Sequence, residues 1–179
     1  AAAAVVLMVL TSALSIYIYE NQYKSDKDIL CETIVPFGSQ TKIILPDSSV
    51  VVLNSGSVLK YPATFEREER NVYLAGEGYF KVFQVYAGDA RIQVTGTVFN
   101  VRSYPDDIQT EVDLIEGGVN VSVGEKNVFL KPNERALYNR ESGSLERQTY
   151  ETYKSALWTT GKLSFVNASF REILKEIER

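Results

Sequence analysis

Apolar residues recur through the middle of this chain in one figure. Two of them alternate into a small-residue bend, and a further apolar side chain returns five positions after the second. Ile92-Gln93-Val94-Thr95-Gly96-Thr97-Val98-Phe99-Asn100-Val101 shows the figure most fully. Val72 and Leu74 before Gly76 and Tyr79 repeat it, as do Val112 and Leu114 before Gly117 and Val119. Val51 and Leu53 before Gly56 and Val58 are an earlier copy, and Val128 and Leu130 before Pro132 and Ala136 a weaker last one. The leading positions 51, 72, 92, 112 and 128 are spaced by about twenty residues. Such a period marks stacked units, none of which can bury its apolar face alone.

The offset of five has geometric content. Side chains alternate faces along a straight strand, so Val94 and Phe99 point the same way only if the chain turns a corner between them. Gly56, Gly76, Gly96 and Gly117 are the expected corners, since glycine tolerates the backbone conformations a corner needs. Asn54 and Asn100 lie beside corners and are expected to satisfy backbone groups at the bends. Stacked in parallel, the copies form a β-solenoid, with Val51, Val72, Ile92, Val112 and Val128 as one buried column on rungs ~4.8 Å apart. The rival arrangement is an antiparallel sandwich with turns at the glycines.

The flanks differ. Ala1 to Tyr19 carries no charge. A run of that length can span a bilayer core, and Tyr17, Tyr19 and Tyr23 suit its aqueous boundary, which predicts one transmembrane helix over 1–19. A signal peptide cleaved near Thr11-Ser12-Ala13 is the rival. The polar stretch 20–35 reads as a juxtamembrane linker, 36–140 as the β-domain and 141–162 as a connector. Pro46-Asp47-Ser48-Ser49 predicts a hairpin turn, and Ser142-Gly143-Ser144 another turn. Leu163 to Val166 reads as a short strand. Phe170, Ile173, Leu174 and Ile177 then fall on one helical face, capped by Asn167 or Ser169. Residues 163–179 are therefore expected to open an α/β domain. The chain begins without methionine, which predicts that an upstream segment is absent.

Composition narrows the chemistry. The net charge is −4 with no basic block, against the concentrated positive patch of a nucleic-acid surface. The chain has no histidine, which removes Ser-His-Asp and Cys-His nucleophiles and histidine-metal sites. One cysteine, Cys31, excludes an intrachain disulfide. The acidic clusters Glu66/Glu68/Glu69 and Asp106/Asp107 lie beside turn residues and read as solvated loop charge. Gly76-Glu77-Gly78 and Gly117-Gly118 precede strands, so they are not phosphate loops. Trp158, next to Gly161, reads as a core or domain-junction aromatic, with a partner contact as its alternative. No catalytic constellation, cofactor site or metal site is predicted.

These segments together resemble the FecR family of membrane-bound sigma-factor regulators. Leu53-Asn54-Ser55-Gly56-Ser57-Val58-Leu59-Lys60-Tyr61-Pro62 is similar to the family's L-N-A-x-S-x-L-x-Y-P. Gly76-Glu77-Gly78-Tyr79-Phe80-Lys81-Val82 resembles G-E-A-Y-F-x-V. Gly96-Thr97-Val98-Phe99-Asn100-Val101 with Tyr104 resembles G-T-x-F-N-V-x-x-Y. Glu116-Gly117-Gly118-Val119 and Leu130-Lys131-Pro132-Asn133-Glu134 resemble E-G-x-V and L-x-P-G-E. Trp158-Thr159-Thr160-Gly161-Lys162-Leu163-Ser164-Phe165, through Glu172-Ile173-Leu174, resembles the W-x-x-G-x-L-x-F…E-I-L ending. Gly78 and Asn133 depart from the pattern, and the connection from Val82 to Val94 is shorter than the family's.

The resemblance implies an anti-sigma regulator in the inner membrane of a Gram-negative bacterium, with most of this chain periplasmic. It would relay a signal from the signalling domain of a TonB-dependent outer-membrane transporter to an extracytoplasmic-function sigma factor, which a cytoplasmic region absent from this chain would hold. The last residues would open a secretin/TonB-like domain, with Trp158, Gly161, Leu163, Phe165 and Phe170 as candidate partner contacts. The alternative is an envelope-tethered carbohydrate-binding or adhesive β-solenoid.

Overall fold

The apolar alternations fold into strands, and the expected glycine corners fall where the chain leaves one sheet for another. A computed structural model of the chain describes residues 2–27, 29–65, 70–81, 84–94, 96–165 and 168–179. It opens with helix α1 (Ala2–Lys27). Strands β1 (Leu30–Ile34), β2 (Thr41–Ile44), β3 (Val50–Leu53), β4 (Val58–Pro62) and β5 (Asn71–Phe80) follow. Then come β6 (Gln84–Ala87), β7 (Ala90–Val94), β8 (Val98–Ser103) and β9 (Gln109–Glu116). The last strands are β10 (Val119–Val123), β11 (Lys126–Leu130), β12 (Glu134–Asn139) and β13 (Leu145–Thr149). A 3-10 helix (Thr152–Thr160) and helix α2 (Phe170–Glu178) complete the chain.

Two sheets face each other. The first runs β11-β10-β7-β6-β5-β4-β1, and the second β2-β3-β5-β8-β9-β12-β13. β5 belongs to both: its first half pairs with β4 and β6, its second with β3 and β8. The chain crosses at Gly76, whose φ is +124°. A Cβ there would stand 2.6 Å from the Cα of Ser57, so this position admits glycine alone. On one side β11 lies against β13, where Arg147 Nη1 donates to the carbonyl of Phe129 at 3.1 Å. The sandwich is thereby nearly closed into a barrel. Between the sheets Leu53, Leu59, Val72, Val85, Ile92, Leu114 and Leu130 are fully buried, and Phe80 stacks on Phe99 with ring centres 5.4 Å apart.

The solenoid expectation is overturned. Val72 and Ile92 lie in the first sheet, with Val85 between them. Val51 and Val112 lie in the second, opposite Phe80 and opposite Val101 and Ala136. Among the described residues the one parallel pairing is β5 with β6. The physical reason is the sense of the corners. At Gly56 and Gly117 the chain passes from the second sheet to the first, and at Gly76 and Gly96 from the first to the second. A coil needs the equivalent corner of every repeat to pass between the sheets in the same direction. The offset of five does bring both apolar residues inward, but into an antiparallel sandwich. The envelope-tethered carbohydrate-binding or adhesive solenoid loses its architecture with the coil.

The transmembrane expectation is also corrected. Residues 2–27 are helical, yet among the described residues no helix is long and apolar enough to cross a membrane. The helix runs on through Glu20, Lys24, Asp26 and Lys27. Earlier, Thr11, Ser12 and Ser15 interrupt its apolar run, their hydroxyls bonded back to the carbonyls of Met8, Val9 and Thr11.

Elsewhere the hairpins at 45–49 and 140–144 form, with Leu45 N–H donating to Ser49 O at 2.9 Å. Leu163 to Phe165 carries no strand, and Val166 lies outside the described residues, as do Asn167, Glu66, Glu68 and Glu69. Ser169 caps α2 in a reciprocal box with Glu172.

Candidate functional site

On the outer face of the second sheet, β5, β8, β9 and β12 present a run of polar residues between the core positions. Asn54 donates its backbone N–H to the carbonyl of Glu77 at 2.9 Å; Glu77 stands opposite Arg102, and Arg102 opposite Glu111. In the next row Tyr79 stands opposite Asn100, Asn100 opposite Asp113, and Asp113 opposite Arg135. An outer face of this kind would ordinarily meet water. Here the 3-10 helix and α2 lie over it, so its polar groups are buried and need partners.

Glu77 is the centre, only 4% exposed. Asn54 Nδ2 donates to its Oε2 at 2.8 Å, and Asn100 Nδ2 to its Oε1 at 2.9 Å. The indole Nε1 of Trp158 donates to Asn100 Oδ1 at 3.1 Å. An indole N–H can only donate, so this bond fixes the orientation of the Asn100 amide and aims its nitrogen at Glu77. Burial pushes the Glu77 carboxyl up to about 7, against the pull of Arg102 and of the two amides. The amides of Asn54 and Asn100, expected to serve backbone at the bends, are thus given to a carboxylate.

Two ionic groups flank this centre. Arg135 holds buried Asp113 through two bonds, at 2.6 and 2.8 Å, and reaches Glu111 at 2.9 Å. Its guanidinium lies 3.6 Å from the ring centre of Tyr150, a cation–π contact. On the other side Arg102 forms ion pairs with Glu176 of α2 at 2.7 Å and with Asp107 at 3.3 Å. Lys175 reaches Asp107 at 2.7 Å and Asp106 at 2.9 Å, and Arg179 pairs with both aspartates. Burial opposes the charge on Asp107, but the bonds from Arg179 and Lys175 prevail and hold its carboxyl at about 2. Asp107 is therefore a partner in the seam rather than the solvated loop charge expected. A cleft of about 650 Å³ runs along the seam, bounded by Glu77, Arg102, Arg135, Trp158, Phe165 and Glu176.

The residues expected to contact a partner are divided. Trp158 is buried under the 3-10 helix, and Gly161 ends that helix at φ +76°. Leu163, Phe165 and Phe170 are exposed, as are Leu174 and Ile177 on α2. Helix α2 thus meets the sandwich with its charged side and presents apolar side chains outward. Of the expected corners, Gly56, Gly76, Gly96 and Gly117 all have positive φ. Among the described residues no group of His, Cys, Asp or Glu could hold a metal ion.

Sequence reasoning missed Glu77, Arg102, Asp113 and Arg135 as site residues. A signal for Glu77 was present: a carboxylate inside an apolar strand, between two glycines, in the same kind of position as Asn54 and Asn100.

Fold and seam together define an all-β sandwich with one polar outer face roofed by its own C-terminal segment. A family model described as FecR protein matches residues 32–120. Two crystal structures of a candidate anti-sigma factor from Parabacteroides distasonis ATCC 8503 are similar to this chain. One is 32% identical and covers 84% of this chain and 74% of its own, with a TM-score of 0.80. The other is 31% identical over 83% and 74%, also with a TM-score of 0.80. No curated protein matches. The chain belongs to the FecR family, whose members are regulators.

Proposed function

We propose that this chain is an anti-sigma regulator that relays a signal from a TonB-dependent outer-membrane transporter to an extracytoplasmic-function sigma factor. The observation that carries this reading is the likeness to candidate anti-sigma factors along most of the chain. Its family's association with membranes supports a place at the inner membrane, with the sandwich on the periplasmic side. The sandwich over 36–140 is the relay body, and 141–162 connects it to a secretin/TonB-like domain that opens at 163. Leu163, Phe165 and Phe170 are exposed and available to the transporter's signalling domain. Trp158 acts indirectly, by holding the amide that faces Glu77.

The test pairs binding with output. The protein is mixed with purified transporter signalling domains, while a sigma-dependent reporter is read in cells. Binding to one of them, with reporter output lost on deleting the sandwich, is expected. A folded protein that binds none, in cells whose reporter ignores its deletion, would overturn the reading.

A further inference from the structure

Three carboxylates converge on one guanidinium beneath α2. Arg102 Nη1 lies 2.7 Å from Glu176 Oε2 on the helix and 3.9 Å from Glu77 Oε2 in the sheet. Its Nη2 lies 3.3 Å from Asp107. Glu77 is anchored by Asn54 and Asn100 and cannot follow Arg102 outward. Glu176 rides on a helix of 9 residues whose other ionic ties to the body run from Lys175 and Arg179 to Asp106 and Asp107. Two carboxylates that share one counter-charge repel each other. An ionised Glu77 therefore draws Arg102 inward and weakens its hold on Glu176, whereas a neutral Glu77 leaves Arg102 to the helix.

We propose that α2 is a strap latched through Arg102, and that the charge on Glu77 sets how firmly the strap is held. Phe170, Leu174 and Ile177 on the outer side of the strap are exposed.

The groups facing Glu77 fix the direction of the effect. Arg102 and Tyr104 face it from β8 and the turn after it, Glu176 from α2, and Asn54, Asn100 and Trp158 are neutral neighbours; Asp107 reaches it only through Arg102. Burial, aided by Glu176, holds the Glu77 carboxyl at about 7, while Arg102 opposes it. Lifting α2 removes Glu176 and admits water, so the carboxyl falls toward its ordinary range. The latched state thus binds a proton more tightly than the lifted one. The latch is tightest below the ordinary carboxylate value and loosens as pH rises to about 7. Asp106 and Asp107 are both held below their ordinary value and stay charged across that window. By reciprocity, a partner that lifts α2 makes Glu77 release its proton.

Hydrogen exchange at the α2 amides of the full chain, corrected for the intrinsic pH dependence, reads the latch. Protection should fall about tenfold between pH 5 and pH 7.5 in the native sequence, the effect of one pKa unit of coupling. Glu77→Gln should keep the low-pH protection throughout. Glu176→Gln should lose protection at every pH, together with the pH dependence. Emission from the single tryptophan, Trp158, checks that each variant is folded. If Glu77→Gln does not fold, Glu176→Gln decides. Native protection that is flat with pH, or a Glu176→Gln strap that titrates as the native one does, overturns the proposal.

Discussion

The two faces of the second sheet are built from the same strands by alternate residues, and they are held in opposite ways. Leu53, Phe80, Phe99, Val101, Val112 and Leu114 face inward and lock by packing, which is non-directional and indifferent to pH. Asn54, Glu77, Asn100, Arg102, Asp113 and Arg135 face outward beneath a cover, and every contact there is directional. Asn54, Glu77, Asn100 and Asp113 are as buried as the inner face, so burial alone does not separate the two. Apolar packing gives stability that resists change. A roofed polar face gives a fit that depends on each partner being present and correctly charged, which suits a contact made and broken in use.

The contrast can be tested from its strongest side down. Phe99→Ala removes a fully buried ring stacked on Phe80 and should cost about 4 kcal/mol in urea unfolding, with little change when repeated at another pH. Asp113→Ala on the polar face leaves Arg135 half-partnered under Tyr150 and should cost about 3 kcal/mol. A loss below 1 kcal/mol there would mean that the roof contributes little to folding.

The acid response is the sharper test. The folded Glu77 carboxyl lies above its unfolded value of 4.5, at about 7. Its contribution is therefore complete below pH 4.5 and lost as pH rises through 7. Unfolding free energy should drop by roughly 2 kcal/mol between pH 5 and pH 8, and Glu77→Gln should remove that slope. A slope retained in Glu77→Gln would place the titrating group elsewhere. The smallest effect belongs to the rim. Ser169→Ala removes the cap of α2 and should cost about 1 kcal/mol of helix stability, seen as faster exchange in α2 with the sandwich unchanged.

The inner face was legible in the sequence because alternation and glycine spacing are local facts. Val94, Gly96 and Phe99 announce a corner without reference to anything distant. Which strand pairs with which is a non-local matter, and a period of about twenty suits a coil and a sandwich equally. The sense of the turn at Gly96 against that at Gly117 is not written in either pentad. The polar face was harder still. Asn100 and Trp158 meet across 58 residues of chain, and Arg102 meets Glu176, more than seventy residues further on. Read singly, Glu77 is one charge among many. Its position inside an apolar strand carried the hint, and the cover that gives it meaning is formed by two helices whose own sequences do not say which sheet face they lie on.

Because β5 is woven into both layers, the two sheets have no plane along which to come apart. A tug on β4 or β8 reaches the same ten-residue thread. The sandwich should therefore unfold as a single cooperative unit.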